Sequence, residues 1–375
     1  MINAKKWILL WFKIVFILLF LIGIFNVIIN PYGIFNTIIS IPHIKTDNKI
    51  RLIKAIKVEQ IKPVSIILGT SRAEFGYDPS HYYFKKPSYN FAISASSMYE
   101  ARKNFEWALK QGRLKQVLLV LDYIMLDSLQ QQHTKDFDKY FNSYNIFKYI
   151  FSIDTLKDSI KVLRHKQTGY TYLDNGQRGH KFYWKYILQE GGYPKVLIKS
   201  ERNYYKEYLP EYKYKDTKRS SLPDLSYIIK KSYENNISLD IIFGPSHIRQ
   251  WEAFDYFLGY EKLLEFKKDV VILINNIAKD YHKHPFRIID FATYNRFTSE
   301  KIPNIFNMQM KYYWESSHYK NELGLLVLDR LEGNISLNFG NELNISNINK
   351  HIQNLKKDRK KYIDSKKYRL EVFGK

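Results

Sequence analysis

The sequence predicts a membrane-anchored α/β protein. Three observations carry this: one long apolar run near the N-terminus, short β-branched apolar runs spread through the rest, and helical periodicity in segments between them. The apolar run comes first. Trp7 to Ile29 is almost wholly apolar and broken mainly by Lys13. At roughly 1.5 Å rise per residue it reaches across a hydrocarbon core of about 30 Å. Lys13 lies near its N-terminal end, where it can snorkel to the headgroups beside Lys5 and Lys6, and Trp7 and Trp11 suit the interface. A cleaved signal peptide is the alternative. The run is longer than a typical signal core, no A-x-A-like site follows, and Asn30-Pro31-Tyr32-Gly33 ends the helix as a turn. The expectation is an uncleaved single-pass anchor in the cytoplasmic (inner) membrane. The Lys5/Lys6 pair predicts its N-terminus inside and the main domain in the periplasm or extracytoplasmic space.

The strands come next. Val64–Leu68, Tyr89–Ile93, Val117–Leu121, Leu239–Phe243 and Arg287–Phe291 are short apolar runs ending at polar or Gly punctuation. Tyr99 to Lys110 carries Ala101, Phe105, Ala108 and Leu109 at helical spacing, and Tyr227 to Asn235 and Tyr260 to Asp280 read likewise. Strands alternating with helices predict a parallel sheet with helices on both faces. The expected organisation is an anchor over residues 1–35, a mixed basic stem over 36–60 and an α/β domain over 61–335. A Tyr-rich, polar insertion with weak helical patterns interrupts that domain at about 128–222, and a basic tail fills 336–375. The tail reads as a solvated segment, or as an exposed basic helix on an anionic membrane.

Composition narrows the chemistry. Of 375 residues 45% are hydrophobic and 16% aromatic, which excludes a disordered chain. There is no cysteine, so disulfides, thiolate nucleophiles and Cys-ligated metals are excluded. Lys and Arg number 59 against 37 Asp and Glu, a formal charge of +22. That charge favours an acidic surface such as anionic lipid or an acidic glycan. The plainer reading is compositional drift, since an AT-rich genome encodes Lys, Ile, Asn, Tyr and Phe together. No nucleic-acid-binding signature is present, and the histidines lack metal-ligand spacing, so neither nucleic acid, a metal nor another cofactor is expected.

Two short motifs can carry a reaction. The first strand ends in Gly69-Thr70-Ser71-Arg72, which puts a hydroxyl at the carboxyl edge of a parallel sheet, where such folds bind ligands. Following N–H groups at a helix start would face an anion formed there. A Ser that merely caps a helix gives the same tripeptide. The second motif is Trp314-Glu315-Ser316-Ser317-His318. A carboxylate three residues before a histidine can share its side of a turn and fix one ring nitrogen, leaving the other for a nucleophile. A surface Glu and His near a helix start is the plainer reading. Arg72 can bind an anionic substrate or pair with a buried Asp122. His247, just past the fourth strand, can line a pocket at that edge or be an ordinary polar loop residue.

Together these motifs resemble the SGNH (GDSL-like) hydrolase superfamily, and most nearly its membrane-anchored bacterial branch of DltD-like envelope proteins. The resemblance lies in Asn30-Pro31-Tyr32-Gly33-Ile34-Phe35, Gly69-Thr70-Ser71-Arg72 with Gly76-Tyr77-Asp78-Pro79, Tyr89-Asn90-Phe91-Ala92-Ile93-Ser94, the Val117–Asp122 strand and Glu315-x-x-His318. It covers roughly residues 7–332 apart from the insertion. It implies a flavodoxin-like three-layer α/β/α sandwich with a helical insertion. It makes Ser71 the nucleophile, His318 the general base and Glu315 the orienting acid. The implied function is that of a serine esterase or O-acyltransferase acting on acyl esters of a cell-envelope glycan or glycolipid, beside a membrane-bound O-acyltransferase.

Two departures from the family pattern stand out. The acid is Glu315 where Asp is usual, so Asp290, after the last strand, is a second candidate partner for His318. The oxyanion-hole Gly and Asn blocks are not distinct either. Ser94-Ala95-Ser96 and Asp122-Tyr123 stand in their places, which leaves backbone N–H groups of Ser71 or Arg72 and of Ser94 to Ser96 as donors. A catalytically degenerate accessory protein of a polysaccharide acylation or assembly complex fits that loss. A tethered carbohydrate-binding module rests only on the insertion's tyrosines.

Overall fold

A computed structural model describes residues 4–33, 35, 49–127, 130–135, 137–142, 146–164, 172–208, 211–336 and 338–374. Ile34, residues 36–48 of the expected stem and short parts of the expected insertion lie outside them. The described chain forms two compact units. One comprises residues 1–57 and 136–171, the other 58–135 and 172–375.

In the first unit a helix over Ala4–Ile29 has a mean hydropathy of 2.9 across its most apolar window and is long and apolar enough to cross a membrane. Most of its side chains stand exposed, Phe16 at 69%. Its C-terminal part packs on the helices Ile146–Ile150 and Ile153–Leu163. A further helix, Ile50–Ile61, lies in the segment expected to be a mixed basic stem. Its Ile50, Ile53 and Ile56 recur every three residues, but Arg51, Lys54 and Lys57 interleave with them and hide the pattern from a reading by polarity.

The second unit is built on a six-stranded sheet. Its strands are β1 (Ser65–Leu68), β2 (Ser88–Asn90), β3 (Gln116–Val120), β4 (Ser238–Phe243), β5 (Arg287–Asp290) and β6 (Asn341–Leu343), in the order β2-β1-β3-β4-β5-β6. The first five are parallel and match the expected runs to within a few residues; β6 is antiparallel on β5. Side chains alternate across a strand. Ile67, Leu118, Val120, Ile242 and Ile289 join one core with Leu323, Val327 and Leu328 of the helix Asn321–Leu331. Their neighbours Ile66, Val117, Leu119, Ile241 and Ile288 are equally buried, so both faces of the sheet are covered.

The order fixes where a site can form. From β1 the chain moves to β2 on one side, then returns to β3 on the other. This reversal opens a crevice at the carboxyl ends of β1 and β3, the topological switch point of the sheet. Ser71 begins the helix Ser71–Gly76 directly above it.

The C-terminal segment is not a tail. After β6 come the helices Ile348–Tyr362 and Ser365–Phe373, with Ile348, His351, Leu355, Tyr368 and Val372 buried. Several of its charges are paired: Arg359 bonds Glu252 and Asp255, Arg369 bonds Asp255, and Glu371 meets Arg249. A periodic apolar stripe diluted by Lys and Arg reads as a solvated segment until the facing carboxylates are known.

Candidate active site

The site forms where the Ser71–Gly76 helix meets the loop before Asn321–Leu331. Thr70 caps the first helix. Its hydroxyl accepts weakly from Arg72 N–H at 3.4 Å and donates to Asp122 Oδ2 at the end of β3. Arg72 Nη1 donates to Asp122 Oδ1 at 2.7 Å. The turn carrying Ser71 is thus pinned to the neighbouring strand by a buried pair, and Arg72 is committed to it. The two helices approach unusually closely. A Cβ on Gly324 would lie 1.6 Å from Gly76 O, and one on Gly76 would lie 2.1 Å from the Tyr319 ring. Only glycine at both positions lets the Ser71 helix reach the histidine loop.

That loop is a short hairpin. Tyr313 and Tyr319 form an antiparallel bridge, and Trp314 N–H donates to His318 C=O at 2.9 Å. Glu315 and His318 therefore sit on one turn. Ser71 Oγ lies 2.6 Å from His318 Nε2, and Glu315 Oε1 is bonded to His318 Nδ1. The carboxylate collects further donors: His318 N–H at 2.9 Å and Ser317 Oγ at 2.8 Å on Oε1, with Ser317 N–H at 3.0 Å and the Tyr204 hydroxyl on Oε2. Burial alone would raise the Glu315 pKa. The facing imidazole, Tyr204 and the Ser317 N–H outweigh it and hold the group down at about 2. A firmly ionised acid against Nδ1 fixes the ring with Nε2 facing the serine hydroxyl.

Two residues of the site were not singled out from sequence, Tyr204 and Tyr183. Tyr183 OH lies 3.3 Å from His318 Nδ1, and its ring, with that of Phe75, packs on the imidazole. Both tyrosines come from the Tyr-rich segment, 111 and 135 positions from their partners, with no local pattern to mark them. Phe75, which packs on the imidazole, also lines an open cavity of about 330 Å³ with His180, Trp184 and Trp314 in its wall and Gln309 and Lys320 among its polar groups.

The remaining predicted residues serve elsewhere. Asp290 is not the partner of His318. Its Oδ2 accepts from Lys267 Nζ and His351 Nε2, each at 2.7 Å, and its Oδ1 from Ala292 N–H at 2.9 Å, which ties β5 to the C-terminal helix. Nor is His247 free to bind a ligand. It caps the helix Ile248–Leu258 through Nδ1 and donates Nε2–H to Glu300 C=O at 2.9 Å. Burial pushes its pKa down to about 4, so it is neutral near pH 7. Its N–H donates to Ser316 C=O at 2.9 Å, bracing the loop from behind.

Of the candidate oxyanion donors, the Ser94 hydroxyl is held between Glu74 and Arg178, and the Ser96 hydroxyl donates to Ser97 C=O at 3.1 Å. Ser96 N–H is taken by Ile93 C=O at 3.0 Å. Ser71 N–H and Ala95 N–H donate to no acceptor among the described residues. Ile93 N–H bonds Gly69 C=O at 3.0 Å, and Ala95 and Ser71 each stand two residues beyond that bond. Such a pair of unspent N–H groups suits a developing oxyanion. Among the described residues no group of three or more His, Asp or Glu side chains is arranged to hold a metal ion. No protein-family model matches this chain, and no curated protein matches it.

Proposed function

We propose that this protein is a membrane-anchored serine esterase or O-acyltransferase acting on acyl esters of a cell-envelope glycan. Its second unit would be an SGNH-like, flavodoxin-type three-layer sandwich. The observation that carries the reading is Ser71 Oγ at 2.6 Å from His318 Nε2, with Glu315 on the opposite ring nitrogen. In the reaction His318 Nε2 takes the Ser71 proton as Oγ bonds the ester carbonyl carbon. Ser71 and Ala95 N–H groups receive the oxyanion. His318 then returns the proton to the leaving alcohol, and an acyl-serine ester remains. Water or a glycan hydroxyl, deprotonated by His318, attacks that ester; the acyl carbon–Oγ bond breaks and His318 returns the proton to Ser71 Oγ. Water gives an esterase; a sugar hydroxyl gives transfer.

The aromatic cavity supports a sugar as one partner, since Phe75, Trp184 and Trp314 line it with a few polar groups beside them. The Ala4–Ile29 helix supports work at the membrane, where the protein would face the extracytoplasmic side beside a membrane-bound O-acyltransferase supplying acyl groups. The prior engagement of the Ser94 and Ser96 hydroxyls favours slow turnover, and in the limit the accessory role. The test is turnover of a short-chain aryl ester by the wild type and by Ser71→Ala. Turnover lost only in the variant supports the enzyme. Equal rates in both remove it.

A further inference from the structure

We infer that residues 146–164 form a second membrane element, a helical hairpin lying in the bilayer interface against the anchor helix. This rests on reading Ala4–Ile29 as a membrane span, and its ligand is the lipid leaflet itself. Depth is the first argument. A Cβ placed on Gly23 would meet Phe151 Cε1 at 2.8 Å and Ile150 Cγ2 at 3.0 Å, so the hairpin turn sits directly on Gly23. Gly23 lies six residues before Ile29, the last residue of the helix. That is about 9 Å down the helix from its end. An amphipathic helix resting in the headgroup and acyl boundary buries its apolar face by about 5–10 Å.

Polar satisfaction is the second argument. Asn26 interrupts the apolar helix within its last turn. Its Nδ2 donates to Ile150 C=O at 2.8 Å and Ser152 C=O at 3.2 Å, and its Oδ1 accepts from Ser159 Oγ at 3.0 Å. The amide and two carbonyls of the hairpin turn satisfy one another where lipid offers no partner, as bilayer-embedded polar groups must. Tyr32 OH adds a bond to Asp158 Oδ2 at 2.6 Å.

The third argument is the surface. Thr155, Ser159 and Val162 are the buried face of the helix Ile153–Leu163. Asp154, Lys157 and Lys161 make a charged face, with side chains 79%, 67% and 57% exposed. Between the two, at helical spacing, Ile153, Ile160 and Leu163 stand 64%, 36% and 48% exposed. Phe147 and Phe151, stacked on each other, are exposed as well, at 65% and 43%. Exposed to water, such a stripe is costly. Beside a lipid-covered helix it continues the same apolar surface, with the charged face turned toward the headgroups.

The chain has no cysteine, so single labels are unambiguous. The test uses the full-length protein in nanodiscs of phosphatidylethanolamine and phosphatidylglycerol. An environment-sensitive fluorophore is attached at Ile160→Cys, Asp154→Cys or Phe16→Cys. The expected result is quenching at Ile160→Cys by lipid bearing a shallow acyl-chain spin label but not by aqueous iodide, with the reverse at Asp154→Cys. Phe16→Cys, in the span, should respond to a deep spin label. Iodide quenching at Ile160→Cys, or shielding there from both quenchers as in a protein contact, overturns the inference while a lipid-quenched Phe16→Cys leaves the span intact. A Phe16→Cys label that lipid does not quench removes the span and the inference with it.

Discussion

Replacing Glu315 by Gln is the perturbation that most sharply probes the proposed site. Five donors converge on the carboxylate: His318 Nδ1 and N–H, Ser317 Oγ and N–H, and the Tyr204 hydroxyl. An amide has one oxygen. Whichever way it lies, its NH₂ faces a backbone N–H, of His318 on one side or Ser317 on the other. One buried donor without an acceptor costs about 1–3 kcal/mol of stability. The effect on rate comes from the imidazolium. A free Glu titrates near 4.3 and each pKa unit is worth about 1.4 kcal/mol. Holding Glu315 at about 2 therefore corresponds to roughly 3 kcal/mol of net preference for the ionised acid in this pocket. If that preference acts on the imidazolium formed in the transition state, kcat/KM falls by about 10²-fold. The assay is aryl-ester hydrolysis per folded molecule, with urea unfolding to count the folded fraction. Asp290→Asn is the control. It unpairs buried Lys267 and His351, so it lowers stability but leaves the rate of the folded fraction unchanged. A folded Glu315→Gln protein working at the wild-type rate refutes the reasoning, and a rate lost in folded Asp290→Asn moves the acid there.

Two further predictions address the supporting residues. Tyr204→Phe removes a charge-assisted bond to Glu315 but leaves His318 its acceptor, so stability drops by about 1.5–3 kcal/mol while activity falls by no more than about tenfold; urea midpoints and ester kinetics measure the two separately. His247, whose folded pKa lies below the ordinary histidine value, contributes stability fully present above about pH 6.5 and lost as pH falls toward about 4, on the order of 3 kcal/mol in all. His247→Asn keeps an acceptor for the helix cap, and its unfolding midpoint should show a flatter acid decline across that window; an unchanged slope assigns the acid loss to another group.

The parallel sheet is legible in sequence because its strands are covered on both faces and so read as unbroken apolar runs, as Ile66, Ile67 and Leu68 do. The Glu315-x-x-His318 pair is legible because its geometry is local to one turn. What escapes is long-range or diluted. Tyr204 reaches Glu315 across 111 positions, and no periodicity encodes that. Asp290 ends its strand as a ligand-edge residue should, yet its carboxylate is taken by Lys267 and by His351, which lies 61 residues on. β6 has three residues, Asn341, Glu342 and Leu343, with the first two exposed, so a lone Leu is its whole apolar signal. The C-terminal helices bury only every third or fourth side chain amid lysines and arginines, so polarity hides a packed element. Ser94 and Ser96 stand at the right place in sequence, but neighbours already hold their hydroxyls.

The most direct test of the central claim needs no knowledge of the substrate. A fluorophosphonate phosphorylates a serine only when a base activates it, so it reports the Ser71–His318 pair itself. The full-length protein is incubated with the probe, and intact mass and peptide mapping locate any adduct. One adduct is expected, on Ser71, absent in Ser71→Ala and strongly slowed in His318→Ala. A folded protein that takes no adduct, or takes it on another serine at the same rate in both variants, contradicts the central claim.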